Sequence, residues 1–434
     1  MATWKKLALC AGVMGLAGAA FAQPAGKGGG QKVTGPIATY WMSAATQTGF
    51  GMPGAGGGGG KPSMSQIMSM ARGGGAAQHS LTLQLGSSQK APGPQAEHLP
   101  PQGLRAGQSL PLVTPQAAPA PTPAEETPQI PREYQKPRGR MLIFWGCGEH
   151  AKAGQPIVID FAQVSAGKMP AGMEALSRGL GARLMQPPSP GRNATYGDWP
   201  NARSRTTVPA EGSLTGDHVV QGNYSPEIRF SLNPDQDFLG ALNLTTNAKT
   251  PSGAAQLGWA PVSGAQAYLA VAIGGGQNET VVMWTSSETQ AAAFAMPDYI
   301  SPGDLDRLVA SRALMGPQTT ACTVPKEVVD AAPAALVQMV AYGREANFVY
   351  PPRPTNPKVA WNQEWQVKVR YRSATGGMLG MAMPGMAGDD EDNSRRRGQR
   401  GAQQQPPQTP EDAKAERRKA IMKGLGGALL GIPH

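Results

Sequence analysis

The chain has 434 residues and a formal net charge of +10, with 57 glycines and 41 prolines. Residues 140–372 hold 19 basic and 18 acidic residues, residues 23–139 nine and four, and residues 373–434 nine and seven. The middle is therefore nearly neutral, which argues against a preformed basic groove for specific nucleic-acid binding and confines any loose attraction to an anionic membrane surface to the tails.

In chain order, Lys5-Lys6, the apolar run Leu7 to Ala20 and Ala20-Phe21-Ala22 before Gln23-Pro24 read as a secretory signal peptide over 1–22, with cleavage between Ala22 and Gln23. The run is too short and too glycine-broken to span a bilayer. Residues 23–77, with an unbroken Gly56 to Gly60, have too little apolar surface to offset the entropy of ordering and are expected to be disordered. A first β-sandwich-like domain is expected over 78–241. Its strands are His79–Leu85, Arg140–Trp145, Gln155–Phe161, Val219–Asn223 and Glu227–Leu232, with an edge strand in Leu104–Val113 and a proline-rich excursion over 114–138.

A second domain is expected over 242–373. Leu257 to Ile273 and Glu279 to Ser286 read as three strands, broken by Pro261 with Ser263-Gly264 and by Gly274-Gly275-Gly276. Ala291–Met296, Leu336–Tyr342 and Glu364–Arg372 supply further strands, and Ser301-Pro302 caps a short helix over 301–310. Trp259, Pro261, Gly264 and Tyr268 are spaced as in fibronectin type III and related immunoglobulin-like sandwiches, which this region resembles. The resemblance implies a module that binds or scaffolds more often than it catalyses. The fold class is thus mostly β, two sandwich-like domains between glycine- and proline-rich and charged tails.

Residues 374–434 read as a low-complexity charged tail, with Asp389 to Asp392 followed by Arg395 to Arg397 and a short helix at about 410–423. Met378, Met381, Met383 and Met386 offer soft thioethers suited to Cu(I). Once Cys10 leaves with the signal, Cys147 and Cys322 remain as an even pair in an oxidising compartment, which points to a disulfide. Tyr196 and Trp199, near Arg203 and Arg205, form a candidate loop for stacking and hydrogen-bonding a glycan or peptide.

Catalytic patterns are scarce. There is no Gly-x-Ser-x-Gly or His-Glu-x-x-His, the five histidines have no metal-ligand spacing, and Gly60-Lys61 is followed by Pro62 where a phosphate loop needs Ser or Thr. Cys147, Glu149 and His150 are the one compact trio of potential nucleophile and base. The expected function is a non-catalytic periplasmic or cell-envelope binding or structural protein, requiring no cofactor, with an envelope protein or polysaccharide as partner. The alternatives are an envelope hydrolase with an unrecognised site and a Met-rich Cu(I)-handling protein.

Overall fold

Runs of β-branched and aromatic residues, cut by turns that glycine and proline favour, build a mostly β chain. The computed structural model describes residues 31–49, 77–115, 139–168, 186–290 and 297–381. They belong to a unit spanning Met1–Met386; a second unit, Ala387–His434, lies outside the described residues, as do the expected signal peptide, strand Ala291–Met296 and terminal helix.

With strands numbered along the chain, a ten-stranded sheet runs β7 (Ile157–Asp160), β6 (Arg140–Trp145), β14 (Thr280–Thr285), β13 (Ala265–Gly275), β16 (Leu336–Gly343), β19 (Trp365–Met378), β2 (Ala38–Gln47), β3 (Gln78–Ser87) and β8 (Thr195–Trp199). The tenth strand, β17 (Ala346–Tyr350), pairs along the start of β19. Two smaller sheets lie against one face. One is β10 (Ile228–Leu232), β9 (Gly216–Gly222), β4 (Ala96–Leu99) and β5 (Leu110–Leu112); the other is β11 (Leu244–Lys249), β12 (Ala255–Trp259) and β15 (Ala321–Val324). A parallel pair, β1 (Val33–Thr34) and β18 (Trp361–Asn362), stands apart.

Alternation along each strand decides which side chains enter the core. Tyr40, Met42 and Ala44 of β2 share a face with Leu81, Leu83 and Leu85 of β3 and with Val367 and Val369 of β19, and this face meets the small sheets. Tyr40 packs on Phe230 of β10, and Trp259 of β12 on Tyr268 of β13 at 5.6 Å between ring centroids. The segment joining the small sheets crosses the β2/β19 seam, held by Thr46 and Thr48 donating to the carbonyls of Leu239 and Leu242 and by Tyr371 donating to that of Gln236. At the opposite edge Val113, just past β5, exchanges two backbone hydrogen bonds of 3.0 Å with Asp198 and so covers the free side of β8.

Two helices serve the other face. α1 (Phe161–Ser165), capped by Asp160, brings Phe161 and Val164 onto Ile143, Ile157 and Ile159. α2 (Pro302–Ala310) forms as expected, with the Ser301 hydroxyl accepting from the Asp304 amide, and buries Leu305 and Leu308 against Leu269, Val340 and Tyr342. α3 (Lys326–Ala331) buries Val328 and Val329 in the main core.

Four expected boundaries need correction. Residues 31–49, assigned to the disordered stretch 23–77, contain β2, a central strand, because ladder partners on both sides and burial on both faces supply what the local glycine content cannot. No break between sheets falls at 241/242: β6 pairs with β14 and β2 with β19, so strands from both expected domains form one sheet. The tail begins later than 374, since β19 continues to Met378 opposite Leu336 and Leu379 is buried. The expected edge strand Leu104–Val113 is ordered as strand only over Leu110–Leu112, residues 102–104 forming a 3-10 turn.

Trp259 is 3% exposed and its indole nitrogen has no hydrogen-bond partner. Trp259→Ala should cost about 3 kcal/mol, the low end for a buried tryptophan, because the substitution also removes an unsatisfied donor. An unchanged chemical-denaturation midpoint would show that the ring anchors nothing.

Candidate functional site: a cation and aromatic row on the central sheet

Lys368, Arg370 and Arg372 alternate along β19 and project from the face opposite the main core. Register places Trp41 of β2 beside Lys368 and Ser43 beside Arg370. The Arg370 guanidinium lies between two rings, 4.5 Å from Trp41 and 4.2 Å from Tyr299, and donates to the Ser43 hydroxyl from Nε (3.2 Å) and a terminal nitrogen (2.5 Å). Lys368 also reaches over Trp41, at 5.7 Å, and Arg372 over Tyr299 at 5.2 Å.

The outer cations are ion-paired, Lys368 with Glu345 at 2.5 Å and Arg372 with Asp298, while two ring faces and a hydroxyl meet the charge of Arg370. Burial lowers the Arg370 pKa and raises that of Tyr299, the nearby Arg372 and Arg370 charges opposing the latter. Arg370 and Arg372 are only 8% and 5% exposed, so the row braces β2, β19 and the segment before α2. Its open rim continues through Gln366, which donates to Thr39 Oγ1, and Gln84, which donates to the Tyr196 hydroxyl at 3.2 Å.

On the core face lies a buried chain of polar rings. Tyr40 Oη is 2.5 Å from His98 Nδ1, His98 Nε2 is 3.0 Å from His218 Nδ1, and His218 Nε2 is 2.7 Å from the Leu214 carbonyl. A carbonyl only accepts, which fixes every proton: His218 donates to Leu214, His98 to His218, and Tyr40 to His98. All three side chains are fully buried. Burial pushes His98 well below the ordinary imidazole value, with His218 adding to the shift; it pulls His218 down to about 4 and pushes the Tyr40 phenol up. The chain closes on backbone with each link satisfied, so it joins the four-stranded sheet to β2.

The proposed Tyr196, Trp199, Arg203 and Arg205 group does not converge. Three residues apart on one strand, Tyr196 and Trp199 face opposite sides of the sheet: Trp199 packs in the core, Tyr196 holds Gln84 on the other face, and Arg203 and Arg205 are exposed in the following loop. Burial raises the Tyr196 pKa to about 12.

Cys147 and Cys322 are bonded, with 5.3 Å between their Cα atoms. Their neighbours diverge: Glu149 accepts from Ser252 and Thr250, and His150 meets Glu327 at 3.0 Å, so the compact trio of the sequence shares no centre. Met378 ends β19 and Met381 is exposed; their carbonyls both accept from Asn247 Nδ2, while Met383 and Met386 lie outside the described residues. So do Ala22 and Gln23.

The groups that sequence reasoning missed are Trp41, Ser43, His98 and His218, brought to their neighbours by strand pairing and sheet packing, and Tyr299, brought in by the segment before α2. One local signal was present: Lys368-Val-Arg370-Tyr-Arg372 alternates cation and apolar residue, a pattern that places three charges on one face. No known family model, curated protein or solved structure matches the chain.

Proposed function

We propose that this chain is a non-catalytic binding or structural protein of the cell envelope, in which the strands of residues 242–378 pack as a sandwich of the fibronectin type III kind while their longer sheet continues into β6 and β2. The reading rests above all on how its reactive groups are used. Tyr40, His98 and His218 are sealed in the core, Cys147 is bonded to Cys322, and Arg370 is stacked between rings, so each serves architecture.

For the module, support comes from β11-β12-β15 facing β14-β13-β16-β19, with the Trp259 to Tyr268 contact bridging them. Export to an oxidising compartment is supported by the charged, apolar and small-residue pattern of residues 1–22 and by the disulfide, which cytosolic reductants would oppose. The partner is an envelope protein or polysaccharide engaging the sheet rim and loops.

The test is capture by tagged protein in the periplasm, comparing the full chain with one ending at residue 381. Truncation there leaves β19, Leu379 and the Asn247 contacts in place. The melting curve and the captured partner should both be retained. Loss of capture with an intact fold would move recognition to the tail, and loss of stoichiometric Cu(I) binding on the same truncation would favour metal handling through Met383 and Met386.

A further inference from the structure

Six large hydrophobic side chains are conspicuously exposed among the described residues, and three of them, Val33 (49%), Tyr350 (47%) and Val359 (48%), share one small knob. The knob is the β1/β18 pair with the loop 350–360 that leads into it. It is a built structure. Trp361 donates its backbone amide to Lys32 and its indole Nε1 to the Pro351 carbonyl at 2.9 Å, Gln31 donates to Val359, and Thr34 donates to Asn362. Arg353 lies over the Trp361 ring at 5.5 Å and donates to Gln31, and Tyr350 stacks on Trp365 at 5.6 Å.

The charges around these apolar groups are mostly of one sign. Residues 31–35 and 350–364 contain Lys32, Arg353 and Lys358 against a single carboxylate, that of Glu364, whose amide donates to the Tyr350 carbonyl at 2.8 Å. All three cations are exposed, and none has an ion-pair partner among the described residues. This contrasts with the row on β19, where Lys368 and Arg372 are matched by Glu345 and Asp298. A tip that shows valine and tyrosine to solvent among three cations without ion-pair partners complements an interface with acyl chains beneath and negative headgroups at the level of the Lys and Arg ends.

We propose that this knob is a docking surface for an anionic lipid bilayer, with Val33, Tyr350 and Val359 entering the headgroup boundary and Lys32, Arg353 and Lys358 meeting the phosphates. An acidic protein is the competing occupant. The apolar tip favours lipid, because an acidic partner alone leaves those three side chains without a complementary surface.

The test uses the full chain in co-sedimentation with vesicles of equal parts phosphatidylglycerol and phosphatidylcholine, beside vesicles of phosphatidylcholine alone. The parent should bind the anionic vesicles, release as salt rises, and bind the neutral ones poorly. Lys32→Glu with Lys358→Glu, and separately Val33→Ser with Val359→Ser, should each weaken binding by about tenfold or more without moving the melting curve, since all four side chains are exposed. Replacing Arg395, Arg396 and Arg397 by glutamate should leave binding in place. Equal binding by parent and both knob variants, loss of binding only in the tail variant, or no binding by the parent would each overturn the proposal, the last leaving an acidic protein as the occupant to pursue.

Discussion

Replacing Cys147 and Cys322 together by alanine should lower stability by about 5 kcal/mol, since the bond closes a loop with a sequence separation of 175 and the chain-entropy treatment assigns about that much to so long a loop. The bond joins the loop after β6 on the long sheet to β15 on the three-stranded sheet. Two non-covalent ties hold the same place: Trp284 donates from Nε1 to the Gly146 carbonyl at 2.9 Å, and Gly148 from its amide to Thr323 at 2.8 Å. The variant should therefore keep its native spectrum, the loss arising mainly from a freer unfolded chain. Chemical denaturation is the measurement, and the parent under a strong reductant should shift by a similar amount. A midpoint unmoved in both would mean that the thiols are not bonded in the folded protein.

That pair was legible from sequence because a chain expected to be exported leaves its two remaining cysteines few alternatives. The clear strands were legible for a related reason, as Arg140–Trp145 and Leu336–Tyr342 are dense in β-branched and aromatic residues between turn signals. β2 was not. Its ten residues are buried on both faces, so the period-two alternation that marks a half-exposed strand is missing, and the glycine-rich flanks dominate any composition read over 23–77. Losing β2 hid the sheet's continuity, because it is the strand that joins β19 to β3.

The candidate site shows the same limit more sharply. Aromatics near arginines suggest a ligand, yet the odd spacing of Tyr196 and Trp199 on a strand sends them to opposite faces. Trp41 and Arg370 are 329 positions apart and touch because β2 and β19 lie parallel in a particular register. Proximity of that origin has no local signature. The same is true of His98 and His218, which looked scattered and are hydrogen-bonded neighbours.

Those histidines carry the second large effect. Substituting His98 by phenylalanine should cost about 4 kcal/mol, because it leaves the Tyr40 hydroxyl without its acceptor and His218 Nδ1 without its donor in a site closed to water, each orphaned group costing about 1 to 3 kcal/mol. Tyr40→Phe should cost less, since it orphans only His98 Nδ1. Acid should act on the same chain. Unfolded imidazoles take up a proton near the ordinary value of 6.5, whereas His218 in the fold resists until about 4 and His98 is also held well below the ordinary value, both because burial penalises the charge. Between those limits the unfolded state binds more protons, so stability is fully present above about pH 6.5 and falls as the pH drops toward 4. His218 alone accounts for about 3 kcal/mol, and His98 adds in the same direction. His79, stacked on Phe238 and also lowered by burial, reinforces the trend. The melting temperature should therefore decline steadily from pH 6.5 to 4.5, Tyr40→Phe should keep that slope, and a variant with leucine at both His98 and His218 should show a shallower one. A parent melting temperature that stays level over this interval would mean that the two rings are already protonated in the fold, or open to solvent, and that the Tyr40 to Leu214 chain does not persist in solution.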